Sequence, residues 1–470
     1  MSRCHRPLRL FQANARVALG AILAGFFAIP FFTASAGAWT QETFILGMWG
    51  DPCVATPLAA NKELNERRHR LARDARFNLL MGANSYGASS HTDSVIALCA
   101  DNDLSTFVQL HANVQNPPTF DPRAKGFDRV AYTKSMADRA HFLPRKYPPR
   151  LRAHFYGYFL GDEPPAKPNY VALKNVLQDC KAFDPGALAF INLCPEFCVS
   201  TRQEYVAYAE SLANDPNPAR RPDVVSFDYY PFRQSGMVAT YFDNLSILRQ
   251  VAGDRPLWAH PLSSGLADNL DPTASQIRFM TNCPVAYGAK GLIYFMFNTS
   301  IPHPNPSDFR SGIVTNCDTV TPLYDVVKNI NDYLVQVVAP VVMSSRLLGT
   351  YHVAQFPAGQ IIPSAEILGA GRAGVIARLS GAEILCGVFD SPGGTYVWLV
   401  NKDIKNTKTA GLWLTGNRAG KISIGPTQIQ YAGSTSYGPW QAAYDASGQV
   451  TKLASVMLAP GEGRMIRVAR

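Results

Sequence analysis

Asp162 and Glu163 stand side by side at the end of the aromatic and apolar run Gly157-Tyr158-Phe159-Leu160-Gly161, and Pro164-Pro165 stop the chain directly after them. Two carboxyls carried at the end of a buried strand can do acid–base work. The charge on one raises the pKa of its neighbour and keeps that neighbour protonated. A third acid, Asp228, closes a similar run, Asp223-Val224-Val225-Ser226-Phe227-Asp228, which continues into Tyr229-Tyr230-Pro231. Each of these carboxylates also has a plainer use. Asp162 could be the buried partner of an Arg or His, and Asp228 could cap the loop after its strand.

Other apolar runs end on polar groups in the same way, at Asp51, Asn84, His111, Asn192, His260 and Asn298. Aromatic residues lie among them, including Trp49, Tyr158, Tyr230, Trp258, Tyr294 and Phe295. Carboxylates, amides and aromatics around one opening suit a sugar, whose hydroxyls take paired polar partners and whose ring faces take aromatic platforms. Trp49, Asp51, Asn84, His111, Asn192, Tyr230, His260 and Tyr294 are therefore candidate substrate-binding residues. For Asp51 and Asn84 a turn-forming role remains the alternative. Of Tyr229 and Tyr230 only one can face a ligand, since successive strand residues point oppositely.

The elements that must position these groups alternate between two periodicities. Short runs rich in Val, Ile, Phe and Tyr, without strict polar alternation, predict strands buried on both faces. They cover Thr43–Trp49, Phe77–Ala83, Thr106–Ala112, Phe155–Leu160, Ala187–Leu193, Asp223–Tyr229, Pro256–His260 and Lys290–Phe297. Between them, amphipathic patterns at Ala59–Arg76, Asn169–Phe183, Thr240–Val251 and Ser275–Tyr287 predict helices, and Pro322–Val338 predicts a last one capped by Thr321. Eight strands alternating with helices predict an α/β fold of the TIM-barrel, (β/α)8, type over residues 39–343, with the active residues at the C-terminal strand ends. A doubly wound sheet is the alternative, but no Gly-x-Gly-x-x-Gly follows the first strand, and a dinucleotide cofactor is not expected. Beyond Val342 the pattern becomes short strands separated by Gly, Pro, Asn and Ser, which predicts an all-β sandwich over residues 344–470.

The first 38 residues are read as an address. Arg3, Arg6, Arg9 and Arg16 precede the apolar run Val17–Phe32, and the small residues Ala34-Ser35-Ala36-Gly37-Ala38 follow. These are the three parts of a secretory signal peptide, with cleavage expected after Ala36 or Ala38 and export to the periplasm or beyond. An uncleaved anchor is the alternative, although Pro30 interrupts the run and its length falls short of the roughly 20 residues of a membrane span. No later run is long enough to span a membrane.

Composition, at 47% hydrophobic and 17% charged residues, excludes general disorder. The net charge of +9 falls to about +5 when the four arginines leave, and the remaining charges form no long basic run, which argues against a nucleic-acid partner. Of nine cysteines, eight remain without Cys4, an even number that suits disulfides in an oxidising compartment. Cys194 with Cys198 and Cys283 with Cys317 are the expected pairs. Neither two close ligand pairs nor a His-x-x-x-His helix is present, so no zinc is expected.

Three segments give the chain a family resemblance. Pro222–Pro231 resembles the sixth-strand segment of barrel β-galactosidases and their relatives. Gly157–Pro164 resembles the fourth-strand end where those enzymes place an acid/base glutamate, and Gly288–Phe295 resembles their eighth strand. The chain thus resembles the (β/α)8-barrel glycoside hydrolases over most of residues 44–342, and its closing β region resembles the small β domain that ends many such enzymes. The resemblance implies hydrolysis of an oligo- or polysaccharide with Glu163 as general acid. It also implies a nucleophilic glutamate at the seventh strand end, where this chain has Pro256-Leu257-Trp258-Ala259-His260-Pro261-Leu262-Ser263 and no carboxylate.

Three readings follow. Glu163 could act with Asp228 across the barrel. Glu163 could act with Asp162 orienting a substrate acetamido group held by Tyr229 or Tyr294, as the adjacent Asp-Glu of barrel hexosaminidases implies. Alternatively, the barrel could bind carbohydrate without cleaving it. A serine hydrolase is disfavoured because no Gly-x-Ser-x-Gly elbow accompanies Ser263, Ser264 and His260.

Overall fold

Strands such as Ile45–Trp49 and Leu188–Leu193 are apolar at nearly every position because both of their faces are covered, one by the barrel interior and one by helices. The computed structural model describes residues 39–50, 52–55, 57–81, 89–109, 147–164, 170–299, 309–353, 360–368, 376–414, 422–426, 441–443 and 454–468. Within these, eight strands form a closed parallel barrel. They are β1 (Ile45–Trp49), β2 (Leu79–Leu80), β3 (Ser105–Gln109), β4 (Phe155–Asp162), β5 (Leu188–Leu193), β6 (Val225–Asp228), β7 (Leu257–His260) and β8 (Ala289–Phe295). The order is β1-β8-β7-β6-β5-β4-β3-β2, and the seam runs from Ile45 beside Gly291 to Trp49 beside Phe295.

Each expected strand has an observed counterpart with shifted ends: most are shorter, β3 and β8 begin one residue earlier, and β4 runs on to Asp162. The helices of twelve or more described residues are α1 (Lys62–Asp74), α2 (Ser89–Asp101), α3 (Tyr170–Phe183), α4 (Arg202–Ala213), α5 (Tyr241–Ala252), α6 (Ala274–Ala286) and α7 (Pro322–Tyr333). Thr321 caps α7 by accepting from the Leu323 amide. The sequence reading missed α2 and α4. For α4 a usable signal exists, since Thr201 and Glu204 form a reciprocal capping box at its start.

Inward-pointing residues alternate along each strand. The lower barrel is filled by an aromatic plug in which the rings of Phe107 and Phe190 lie 5.2 Å apart and those of Phe190 and Trp258 5.4 Å apart. Gln41 closes it from below, its Oε1 accepting from the Trp258 indole N–H at 2.9 Å. Two residues further along the same strands, the inward positions become polar: Asn192 after Phe190, Ser226 after Val224, and His260 after Trp258. The plug thus sets the floor of a polar mouth.

From Arg346 onward the described residues form β-sheets and one 3-10 turn, Ser364–Glu366. A seven-stranded sheet has the order β10 (Ile367–Leu368), β9 (Arg346–Val353), β12 (Ile384–Ser391), β13 (Gly394–Asn401), β18 (Gly463–Val468), β15 (Ile422–Ile424), β16 (Gln441–Ala443). A three-stranded sheet joins β11 (Ile376–Ser380), β14 (Lys408–Leu414) and β17 (Ala454–Leu458). One face of the larger sheet packs on the smaller through residues such as Cys386, Val397, Leu412 and Ile466. Its other face, with Leu385, Phe389, Trp398 and Met465, belongs to the barrel core.

Helix α6 is the meeting point. The Trp398 indole N–H donates to Asn282 O at 3.0 Å, and Asn282 Nδ2 donates to Gly461 O at 2.9 Å. Gly461 needs its small size, because a Cβ there would lie 2.2 Å from Ser275 O. Its φ of +70° is also one that glycine adopts freely.

Cys194 pairs with Cys198 as expected. The other expected pair is corrected: Cys53, not Cys283, is the partner of Cys317, with Cα atoms 5.4 Å apart. Cys283 is a free thiol buried within α6. No helix among the described residues is long and apolar enough to cross a membrane. Residues 1–38 lie outside those described.

Candidate active site

The polar mouth is built from neighbouring strand ends. A register shift in β4 between Phe159 and Gly161 changes the inward parity, so that Asp162 comes opposite Asn192 of β5. Without that bulge the alternation from inward Phe159 would turn Asp162 toward the helices. Glu163 follows with φ of +42°, a left-handed conformation uncommon for a glutamate, and its amide donates to Asn192 O at 3.0 Å. Such backbone conformations concentrate at functional sites.

Asn192 is buried and central. Its Nδ2 donates to Asp162 Oδ1 at 3.2 Å and to Asp228 Oδ1 at 2.7 Å. The two acids therefore lie no further apart than those two bonds laid end to end. On its other side Asn192 Oδ1 accepts from Ser226 Oγ at 3.2 Å, and Ser226 Oγ meets His260 Nε2 at 3.0 Å. Asp228 and His260 face each other across β6 and β7.

Electrostatics separate these groups. Burial, first, and the nearby charge of Glu163, second, raise the Asp228 pKa to about 8, against hydrogen bonds from Asn192 and Tyr230 that lower it. The direction of the shift favours the protonated form of Asp228. Burial alone lowers the His260 pKa to about 3, so the imidazole is neutral. Burial, and then the charges of Asp228, Glu163 and Asp162, push the Tyr230 phenol well up, so it stays protonated and can donate to Asp228.

Aromatic rings border the acids. Tyr230 stacks on Phe295 with centroids 5.9 Å apart, and Trp49 lies 5.8 Å from Phe295 and 6.1 Å from His260. The structure therefore brings together Glu163, Asp162, Asp228, Asn192, Tyr230, His260 and Trp49. Asp51, Asn84 and His111 lie outside the described residues.

Two expectations are corrected. Tyr294 does not face the mouth: on β8 the inward residues are Ile293 and Phe295, and the Tyr294 hydroxyl donates to Asn331 Oδ1 of α7 at 2.8 Å. Tyr229 points away too, its hydroxyl 2.6 Å from Thr240 Oγ1, which leaves Tyr230 as the tyrosine of the site. Neither Tyr229 nor Tyr294 is placed to hold an acetamido oxygen. Ser226 was visible in the sequence only as a hydroxyl interrupting an apolar strand, and it proves to be the link between His260 and Asn192.

No family model and no curated protein sequence matches the chain. Solved structures do match. Gan42B, a GH42 β-galactosidase from G. stearothermophilus, aligns with a TM-score of 0.55 at 8% identity, covering 92% of this chain and 99% of that one. A catalytic mutant of Gan42B aligns equally well, over 93% of this chain. A GH30 endoxylanase from Clostridium papyrosolvens aligns at a TM-score of 0.48 and 10% identity, over 93% of this chain and 98% of its own. The chain shares with the Gan42B structures a (β/α)8-barrel fold followed by a β domain.

Proposed function

We propose that this protein hydrolyses O-glycosidic bonds of an oligo- or polysaccharide, with Glu163 and Asp228 as the working pair. The observation that carries this reading is the gathering of Asp228, Glu163 and Asp162 at the C-terminal barrel mouth, where burial and the Glu163 charge raise the Asp228 pKa. The sequence alone favoured Glu163 as the acid; the burial of Asp228 supports the reverse assignment. Asp228 gives its proton to the leaving oxygen as the C–O bond breaks. Glu163 supplies the opposing charge and takes the proton of the attacking water, whose hydroxyl ends on the anomeric carbon. Asp162 is the third carboxyl, held by Asn192. Trp49, Tyr230 and Phe295 supply ring faces for the sugar.

A mechanism of this kind draws about 10²–10⁴-fold from each acid or base. Asp228→Asn and Glu163→Gln should each lose that much in the release of reducing ends from a panel of oligosaccharides, while retaining glycan binding by calorimetry. Wild-type rates in either variant would remove the assignment.

One observation favours a second reading: strand β7 ends in His260, where the resembling enzymes carry a nucleophile. A carbohydrate-binding barrel without hydrolysis would bind the same glycans and release no reducing ends from the wild type. We also propose export. Its support is the Arg-rich, apolar and Ala-rich order of the first 38 residues, together with two disulfides.

A further inference from the structure

Four neighbouring strand ends carry a hydrogen-bond chain with a single direction. Asn192 turns Nδ2 to Asp162 Oδ1 and Asp228 Oδ1, at 3.2 and 2.7 Å, and Oδ1 away; a proton on the other oxygen of Asp228 leaves Oδ1 an acceptor. Oδ1 then needs a donor, and the Ser226 hydroxyl gives it one at 3.2 Å. Ser226 has one proton, already committed, so at 3.0 Å from His260 Nε2 it can only accept. His260 must therefore carry its proton on Nε2. The neutral state imposed by burial is compatible with this, since a neutral imidazole has one N–H to place. Asn192, Ser226 and His260 are almost fully shielded from solvent, at 1%, 0% and 4% exposure, so water does not compete for these bonds.

We propose that His260 is a positioning residue which, through Ser226, locks the Asn192 amide in the orientation that clamps Asp162 and Asp228 together. Strand β7 thus contributes to the site by ordering donors from outside the carboxyl cluster. Reversing the amide would take the Nδ2 donor away from both carboxyl oxygens it now reaches. Among the described residues, the charged and titratable groups facing this chain are Asp162, Asp228, Glu163 and Tyr230, and the one nearest the amide is Asp228. The catalytic consequence rests on the hydrolase reading above, but the ordering of the amide does not.

The test uses Ser226→Ala, Ser226→Thr and His260→Phe in the full-length protein. Carboxyl NMR titration of Asp228, without substrate, reads the chain independently of any activity. Ser226→Ala frees the amide to turn, Asp228 loses a donor, and its pKa rises by about one unit, the size expected for loss of a hydrogen bond to a charged group. His260→Phe shifts it in the same direction, and Ser226→Thr, which keeps the hydroxyl, restores the wild-type titration. If hydrolysis is present, the basic limb of kcat/KM moves up with the Asp228 pKa, and kcat falls about 10-fold with KM little changed, as for other residues that orient a catalytic group. An unchanged Asp228 titration in folded Ser226→Ala and His260→Phe overturns the proposal. A shifted titration in a protein that cleaves no glycan supports the chain and sinks only the hydrolase reading.

Discussion

The Asp228 pKa is raised for two reasons that mutagenesis separates, burial at the barrel mouth and the charge of Glu163. Glu163→Gln removes only the second. The Asp228 carboxyl, at about 8 in the wild type, should then titrate lower while staying above its ordinary value of 3.8, as read by carboxyl NMR. No downward movement would show that Glu163 does not sense Asp228. The raised pKa is also a statement about stability. The folded chain binds this proton more tightly than the unfolded chain, so stability is undiminished below pH 3.8 and declines as pH rises toward 8. Asp228→Asn removes the cost of the buried charge. It should melt higher than wild type at pH 9 by about 2 °C, with little difference near pH 4, in scanning calorimetry. A higher wild-type melting point at pH 9 would contradict the shift.

Strand β4 concentrates the constraints that aim the acids. Gly157 has no room for a side chain, because a Cβ would lie 2.2 Å from Leu188 O of the neighbouring strand. Gly157→Ala should force β4 from β5, cost about 3 kcal/mol in denaturant unfolding, and reduce activity more than stability alone explains, because Asp162 and Asn192 sit on those strands. Stability within a few tenths of a kcal/mol of wild type would show that the strands yield there. Much of this element was legible in the sequence: the apolar run, its carboxyl end and the two prolines mark a strand that stops at a mouth. The bulge between Phe159 and Gly161 was not, since nothing in Phe-Leu-Gly distinguishes a regular ladder from a shifted one. The same ambiguity misplaced Tyr294. Beside Phe295, both residues are aromatic, and only the β8 register tells which one faces inward. His260 and Asn192 were legible because polar residues ending a buried strand have few other uses, whereas their connection through Ser226 depends on pairing between strands distant in sequence.

At the scale of the whole molecule, the β domain shares its core with the barrel through Trp398, which is fully buried and bonded to α6. Trp398→Ala should cost about 3–5 kcal/mol and lower a single melting transition rather than split it, because the cavity opens in the core common to both parts. Two resolved calorimetric transitions in the wild type would mean that the parts unfold separately. The Cys53–Cys317 bond acts at the same scale. It ties the exit of β1 to the segment beyond β8 across 264 residues, beside the barrel seam. The covalent structure between those two cysteines is accordingly a ring, not a line. A protease that cuts once anywhere on that ring opens it without releasing a piece, and only a second cut or a reductant turns damage into loss.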